Sequence, residues 1–497
     1  MSSAVRAEDR MKKKIRYFVL IFFILIILCA VLAVKDARKK KIVSSQKNIT
    51  VVQKAEHVDV DNPRIFEMDD ILYSENGDIC MDFQSPEYNY YSTNFDGTAM
   101  AVTSEKKLYY VDGKLEPVYL SESKTRAIIS KKANFVLYND MDELQCGCVY
   151  DGSAGRKIPI HSRNIPLYDS AISSNGRYIA FFDKEQGAVI KDVQDTDSYT
   201  IVSKKKLKAV HISPDGERGF FELYDDQTHF VFSYHDGELI EVTRGGYFDY
   251  IVNDECTECF VYDNDATYYY DIHMETGKKI LDEDIFTVHC ANDPVGIDGK
   301  YSGIKIADVE SFRGCILDTI QSAYYFYSPY KNPLELGGFG TYDHLGFDNG
   351  VAQRLYRDVE DYLCIDTMED GCVTSSRLED IDTIVRTFDV ADNLSKIYYV
   401  DRDCNIWLYE NGESKLLYDR SGYCTYIHYD RFSGRLFFID NDSLYSVGED
   451  PEDCRLEYSE ADYISSYYYD YEDFLVFSYN MQKRYARIFG NIMLIGS

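Results

Sequence analysis

The apolar residues of this chain fall in runs of about four to eight, separated by short polar segments rich in Asn, Asp, Ser and Gly. That rhythm predicts short strands joined by tight turns. Two stretches show it most clearly. "ISSNGRYIAFF" begins at Ile172 and "ISPDGERGFF" begins at Ile212, forty residues on. Each reads as strand, turn, strand, with Asn175-Gly176 and Asp215-Gly216 at the turns. Asn/Asp-Gly pairs suit two-residue hairpins, whose central residues adopt φ > 0. The interval recurs along the chain. "NFDGTAMAV" places a turn at Asp96-Gly97, "ISKKANFVLY" one near Lys132, and "NDECTECFVY" one near Thr257. Later, Ser395, Gly434 and Asp473 stand 39 residues apart in turn-like text.

Each turn is followed by further short strands. After Gly216 come "GFFELYD", "HFVFSYHDG" and "LIEVTRG". A unit of about forty residues with four antiparallel strands matches a propeller blade. No stretch reads as a long amphipathic helix, and strands that alternate rather than run apolar argue against a parallel α/β sheet. Nearly ten pitch units fit between Asp96 and Asp473, whereas propellers run to about eight blades. The expectation is therefore an all-β propeller of about eight four-stranded blades over residues 63–497. Its irregular middle, at about 285–385, contains the Gly-rich "NPLELGGFGTYDHLGFDNG", read as a loop or insertion.

One segment breaks the pattern. Tyr17 to Val34 reads YFVLIFFILIILCAVLAV, without a charge. At 1.5 Å per residue it makes about 27 Å of helix, enough for a hydrocarbon core with snorkelling flanks. It is longer than a signal-peptide core and no cleavage site stands out before "KDARKKK", so an uncleaved anchor is expected. Leu28 before Cys29 argues against a lipoprotein site. Residues 1–16 then form a basic cytoplasmic tail and 35–62 a stalk. A long C-terminal domain crosses largely regardless of charge, so the expected topology is N-terminus inside and body extracytoplasmic.

Composition refines this picture. Tyr numbers 45 against one Trp, Trp407, and only 10 prolines, which favours strands. The net charge is −31, but residues 1–48 carry twelve Lys/Arg against three acids. They hold +9, and the remainder holds −40. So acidic a body repels phosphate backbones and excludes nucleic acid as a partner.

"SSNGRYIAFF" and "SPDGERGFF" resemble the TolB-like, WD-related propeller repeat of bacterial envelope proteins, and prolyl-oligopeptidase-type propellers look similar. The resemblance implies an extracytoplasmic scaffold that binds proteins, peptides or glycans. TolB proper is soluble, whereas this chain is expected to be tethered. The peptidases carry a hydrolase domain, for which no room remains.

The search for catalytic chemistry yields little. "GKYSGIK" around Ser302 lacks nucleophile-elbow spacing, and "ETGKKIL" at Gly277 lacks a phosphate loop's first glycine and its Ser/Thr. Cysteine pairs occur at Cys146/Cys148 and Cys256/Cys259. A structural zinc site needs a second such pair or ligand-spaced His, so core thiols are expected, with local disulfides as the alternative. His211, His289 and His428 each lie near a unit's first turn, where they would line a central channel if their strands are innermost. No cofactor or catalytic residue is assigned. The expected function is a non-enzymatic binding or scaffold module for an envelope protein, peptide or glycan. The alternative is a channel-site enzyme, glycan-active or metal-dependent.

Overall fold

Why the strands form where they do is visible in their burial. The second and third strands of a repeat are apolar on both faces: Ala99–Ser104 is buried throughout, and Phe135–Asp140 nearly so. The fourth strands, such as Thr200–Ser203 and Cys372–Arg377, are largely exposed. The expected alternation is therefore lost on these inner strands, because they are covered on both sides. The computed structural model describes residues 50–53 and most of 64–496. The proposed tail and membrane segment, Tyr17–Val34 included, lie outside the described residues, as do stretches such as 54–63, 291–296, 299–303, 337–343 and 467–474. Among the described residues no helix is long and apolar enough to cross a membrane. A short strand, Thr50–Gln53, falls within the span read as a stalk.

Residues 52–497 form one compact unit. Its described strands make eleven sheets in chain order, most of them four-stranded, rather than about eight. Sheet 1 covers 65–82, sheet 2 covers 90–122, sheet 3 covers 128–159 and sheet 4 covers 171–203. Sheets 5 to 8 cover 206–245, 249–281, 285–336 and 344–377, and sheets 9 to 11 cover 385–418, 427–458 and 463–496. Within a repeat the strands pair antiparallel with their chain neighbours. Among the described residues, only two single turns of 3-10 helix, Leu167–Asp169 and Pro451–Asp453, interrupt the β-structure. This nearly all-β stack of mostly four-stranded sheets is propeller-like.

Successive sheets pack face to face, and every junction holds its own hydrophobic cluster. The period-2 geometry of a strand divides its side chains between two junctions. On Phe135–Asp140, Val136 and Tyr138 face sheet 2, and Leu137 faces sheet 4. On Tyr178–Asp183, Ile179 and Phe181 face sheet 3, and Ala180 faces sheet 5. On Arg435–Asp440, Leu436 and Phe438 face sheet 9, while Phe437 and Ile439 face sheet 11.

The turns differ from the two-residue hairpins expected. At Asn175-Gly176 only the glycine has positive φ, +76°. Ser173 starts a turn closed by Gly176 N–H on its carbonyl, and its Oγ accepts from Tyr178 N–H at 2.9 Å. Asn175 Oδ1 accepts from Arg177 N–H. Ser213 through Arg218 repeats this arrangement, with Asp215 in the place of Asn175 and Gly216 at +75°. Asn94 replaces the serine in the turn of Asp96 and Gly97, and Asn253 replaces it in a turn where Cys256 takes the glycine position at φ +54°. Ser130 caps a further copy. The repeated element is thus a side-chain-capped turn, with one left-handed residue in four of these five copies. Gly434 ends a different turn, donating to Asp430.

The middle is irregular for a specific reason. The Gly-rich text read as an insertion contributes the last strand of sheet 7, Leu334–Leu336, and the first of sheet 8, His344–Asp348. The insertion lies earlier, between Ile285–His289 and Cys315–Thr319. Its strand Ile297–Asp298 pairs with Ile285–His289, and its strand Ile304–Ala307 runs parallel to Asp249–Asn253 of sheet 6.

The turn glycines also serve the stacking. A Cβ on Gly176 would lie 2.3 Å from the Phe135 ring of sheet 3, and one on Gly216 would lie 2.5 Å from the Tyr178 ring of sheet 4. Sheets 3 and 4 therefore each lay an aromatic ring on the next sheet's turn. Gly237, at φ +78°, has nothing within 4 Å of a built Cβ. Gly176→Ala and Gly216→Ala should each destabilise by about 3 kcal/mol, combining left-handed strain with overpacking. Gly237→Ala should cost about 1 kcal/mol. Denaturant midpoints measure this, and equal losses at the three sites would contradict the ring-on-turn contact.

Candidate functional site

The first turns of sheets 2 to 6 lie side by side at one end of the stack. Phe95 N–H donates to Lys131 O, Lys132 N–H to Ser174 O, and Asn175 Nδ2 to Pro214 O. The second position of the turn varies where its cap repeats: Phe95, Lys131, Ser174, Pro214 and Asp254. Asp254 is the exceptional member. Its Oδ2 accepts from Ser174 Oγ at 2.9 Å and lies 3.0 Å from Lys132 Nζ. A carboxylate of sheet 6 thereby ties down the turns of sheets 4 and 3.

A cleft of about 520 Å³ opens here, lined by Lys132, Arg218, Asp254, Glu255, Thr257, Val309 and Glu310. It forms where the repeat departs from itself. The residue five after each turn cap is Phe135 in sheet 3 and Tyr178 in sheet 4, the two rings that cover the next glycine. In sheet 5 it is Arg218, which reaches Glu255 at 3.0 Å. In sheet 6 it is Glu258, which accepts from Ser311 Oγ and Phe312 N–H of the insertion. Asn253 Nδ2 donates to Glu310 O, and the Phe312 ring packs 4.9 Å from Phe260. These contacts hold the insertion against the cleft as one wall.

Beneath Asp254 lies His211, on the first strand of sheet 5 and 1% exposed. Burial pushes its imidazole down to about 4, against the opposing pull of Asp254. Lys131 is also lowered, by burial first and by Arg126 second. His289 and His428 likewise sit on first strands, of sheets 7 and 10. The three histidines do not converge. His289 is pushed down to about 4 by burial alone, and His428 Nδ1 lies 3.6 Å from Asp389, which also has His344 at 3.9 Å. Among the described residues no group of three or more His, Cys, Asp or Glu is arranged to hold a metal.

All twelve described cysteines are unbridged. Cys146 and Cys148 share one strand with sulfurs 3.9 Å apart. Cys256 and Cys259 are both buried, and burial raises their thiols as it raises that of Cys148. Raised thiols disfavour thiolate chemistry. Asp96, Gly97, Asn175, Gly176, Asp215 and Gly216 occupy the turn ends around Asp254, but they shape the turns rather than face the cleft. Sequence reasoning missed Asp254, Arg218 and Glu310. The signal was present as the variable positions inside a repeated turn, next to the two copies that carry a charged residue, Arg218 and Glu258, where Phe135 and Tyr178 stand in others.

No protein-family model matches the chain, and no curated protein matches it. Among solved structures, one described as a crystal structure of the eukaryotic initiation factor is 11% identical. The likeness covers 70% of this chain and 94% of that one, at a TM-score of 0.37. A structural study of two prolyl endopeptidases gives 12% identity, 66% and 54% coverage and a TM-score of 0.30. Neither likeness bears on function.

His211, buried, and His289, half-buried, set an acid limit. A neutral imidazole held below its ordinary value stabilises the fold fully above about pH 6.5, and this is lost as pH falls toward 4. Each imidazole should cost about 2 kcal/mol between pH 7 and 5. His289→Gln should therefore lose less stability over that interval than the parent chain, by thermal unfolding at several pH values. An identical pH dependence would contradict the lowered imidazole of His289.

Proposed function

We propose that this chain is a membrane-tethered, extracytoplasmic β-propeller acting as a non-enzymatic binding module for an envelope protein, peptide or glycan. The turn end of sheets 3 to 6 is its recognition surface. The observation that carries the reading is the convergence of these turns on Asp254 around the cleft. Loops at one end of a rigid scaffold are where binding residues concentrate. The tether rests on the uncharged run from Tyr17 to Val34 and the basic residues on both its sides. The outward placement agrees with the resemblance of the Ile172 and Ile212 repeats to TolB-like propellers. A channel-site enzyme is the second reading, favoured by the approach of His344 and His428 to Asp389 on the first strands of sheets 8, 9 and 10.

A photo-reactive residue at position 310, at the cleft, should cross-link a defined partner in intact envelopes. The same residue at position 185, in the exposed turn between the second and third strands of sheet 4 and so at the other end of the stack, should not. Equal cross-linking at both positions, or none at 310, would overturn this assignment of the surface.

A further inference from the structure

Both cations of the cleft are already engaged. Lys132 lies against Asp254, and Arg218 is shared between Asp215 at 2.9 Å and Glu255 at 3.0 Å. The acceptors are in the opposite condition. Asp254 is 4% exposed, yet its Oδ1 has no hydrogen-bond partner among the described residues. Nε2 of His211 also has none. Glu310 is exposed at the rim, held through its main-chain oxygen. A buried acceptor left without a donor costs about 1–3 kcal/mol, more when it is charged, so the cleft lacks a donor rather than an acceptor.

We propose that the cleft receives a basic side chain, Lys or Arg, from a partner peptide, with Asp254 Oδ1 as the buried acceptor and Glu310 as the acceptor at the rim. This rests on the reading of the turn end as a recognition surface. Val309 and the Thr257 methyl give the aliphatic stem an apolar wall, since long basic side chains bury their stems while their heads seek polar groups. An anionic ligand fits worse. It would draw Lys132 or Arg218 away from carboxylates and leave Asp254 buried without its counter-charge, a strongly unfavourable exchange. His211 stays neutral near pH 7 and adds no charge against an incoming cation. The −40 of the chain beyond residue 48 draws basic partners toward the surface from a distance.

The test uses the full chain in detergent and capped tripeptides, acetyl-Gly-X-Gly-amide, with X as Arg, norleucine or Glu. Saturation-transfer NMR and calorimetry read the binding. The Arg peptide should bind at least about tenfold more tightly than the other two. Asp254→Asn should weaken it about tenfold and Glu310→Gln about threefold. Lys132→Met should strengthen it by removing the internal cation that competes for Asp254, an effect that mere structural support would not produce. Should Asp254→Asn fail to fold, the exposed Glu310→Gln carries the test. Equal binding of the three peptides, preference for the Glu peptide, or indifference to both acid variants would overturn the proposal. Absent Arg binding with the cross-link at 310 intact overturns this inference alone. Arg binding without that cross-link overturns the broader assignment instead.

Discussion

Sheets 2 to 10 each bury both of their faces against their neighbours, and the rest of the described structure follows from that requirement. It explains why inner strands such as Ala99–Ser104 are buried on both faces, why consecutive residues such as Leu137 and Tyr138 serve different junctions, and why the hydrophobic clusters succeed one another along the chain. It also brings the first turns of successive sheets into register. Once they lie side by side, a ring from one sheet can cover the turn glycine of the next, as Phe135 and Tyr178 do. The turn end is therefore a product of the same packing that holds the sheets together.

The candidate site arises where that packing changes its chemistry. Arg218 and Glu258 occupy the positions of the rings, and Cys256 occupies the position of the glycine. Polar contacts replace aromatic ones, the insertion is recruited by Glu258 and Asn253, and a cleft remains between them. Burying a charge such as Asp254 is costly unless it is paired and hydrogen-bonded. Lys132 and Ser174 provide this for one of its oxygens. The other oxygen is buried without a hydrogen-bond partner among the described residues.

Much of the fold was legible in the chain because its determinants are local. A turn that needs a cap and one left-handed residue leaves the same short phrase near Ile172 and Ile212 wherever it is well preserved. The blurred copies were legible only in part. Asn can replace the Ser cap, and Cys256 can take the glycine position, without changing the turn. The insertion escaped notice because Ile304–Ala307 pairs in parallel with a strand of the preceding repeat, and such pairing leaves no local mark. The sheet count was underestimated because regular spacing was weighed against the customary size of propellers. Asp254 was hidden among 84 acids, and only its position within the turn sets it apart.

The central claim is that turns from separate sheets meet at Asp254. A double-mutant cycle on Lys132 and Asp254, which lie three sheets apart in the chain, tests it most directly. Lys132→Met, Asp254→Asn and the double variant would be compared with the parent chain by equilibrium unfolding. Groups in contact show coupling of about 0.5–3 kcal/mol, whereas distant sites add within about 0.5 kcal/mol. The structure predicts coupling of at least about 1 kcal/mol, with the double variant less damaged than the sum of the single ones. Strict additivity would place the two residues apart and contradict the convergence on which the site depends.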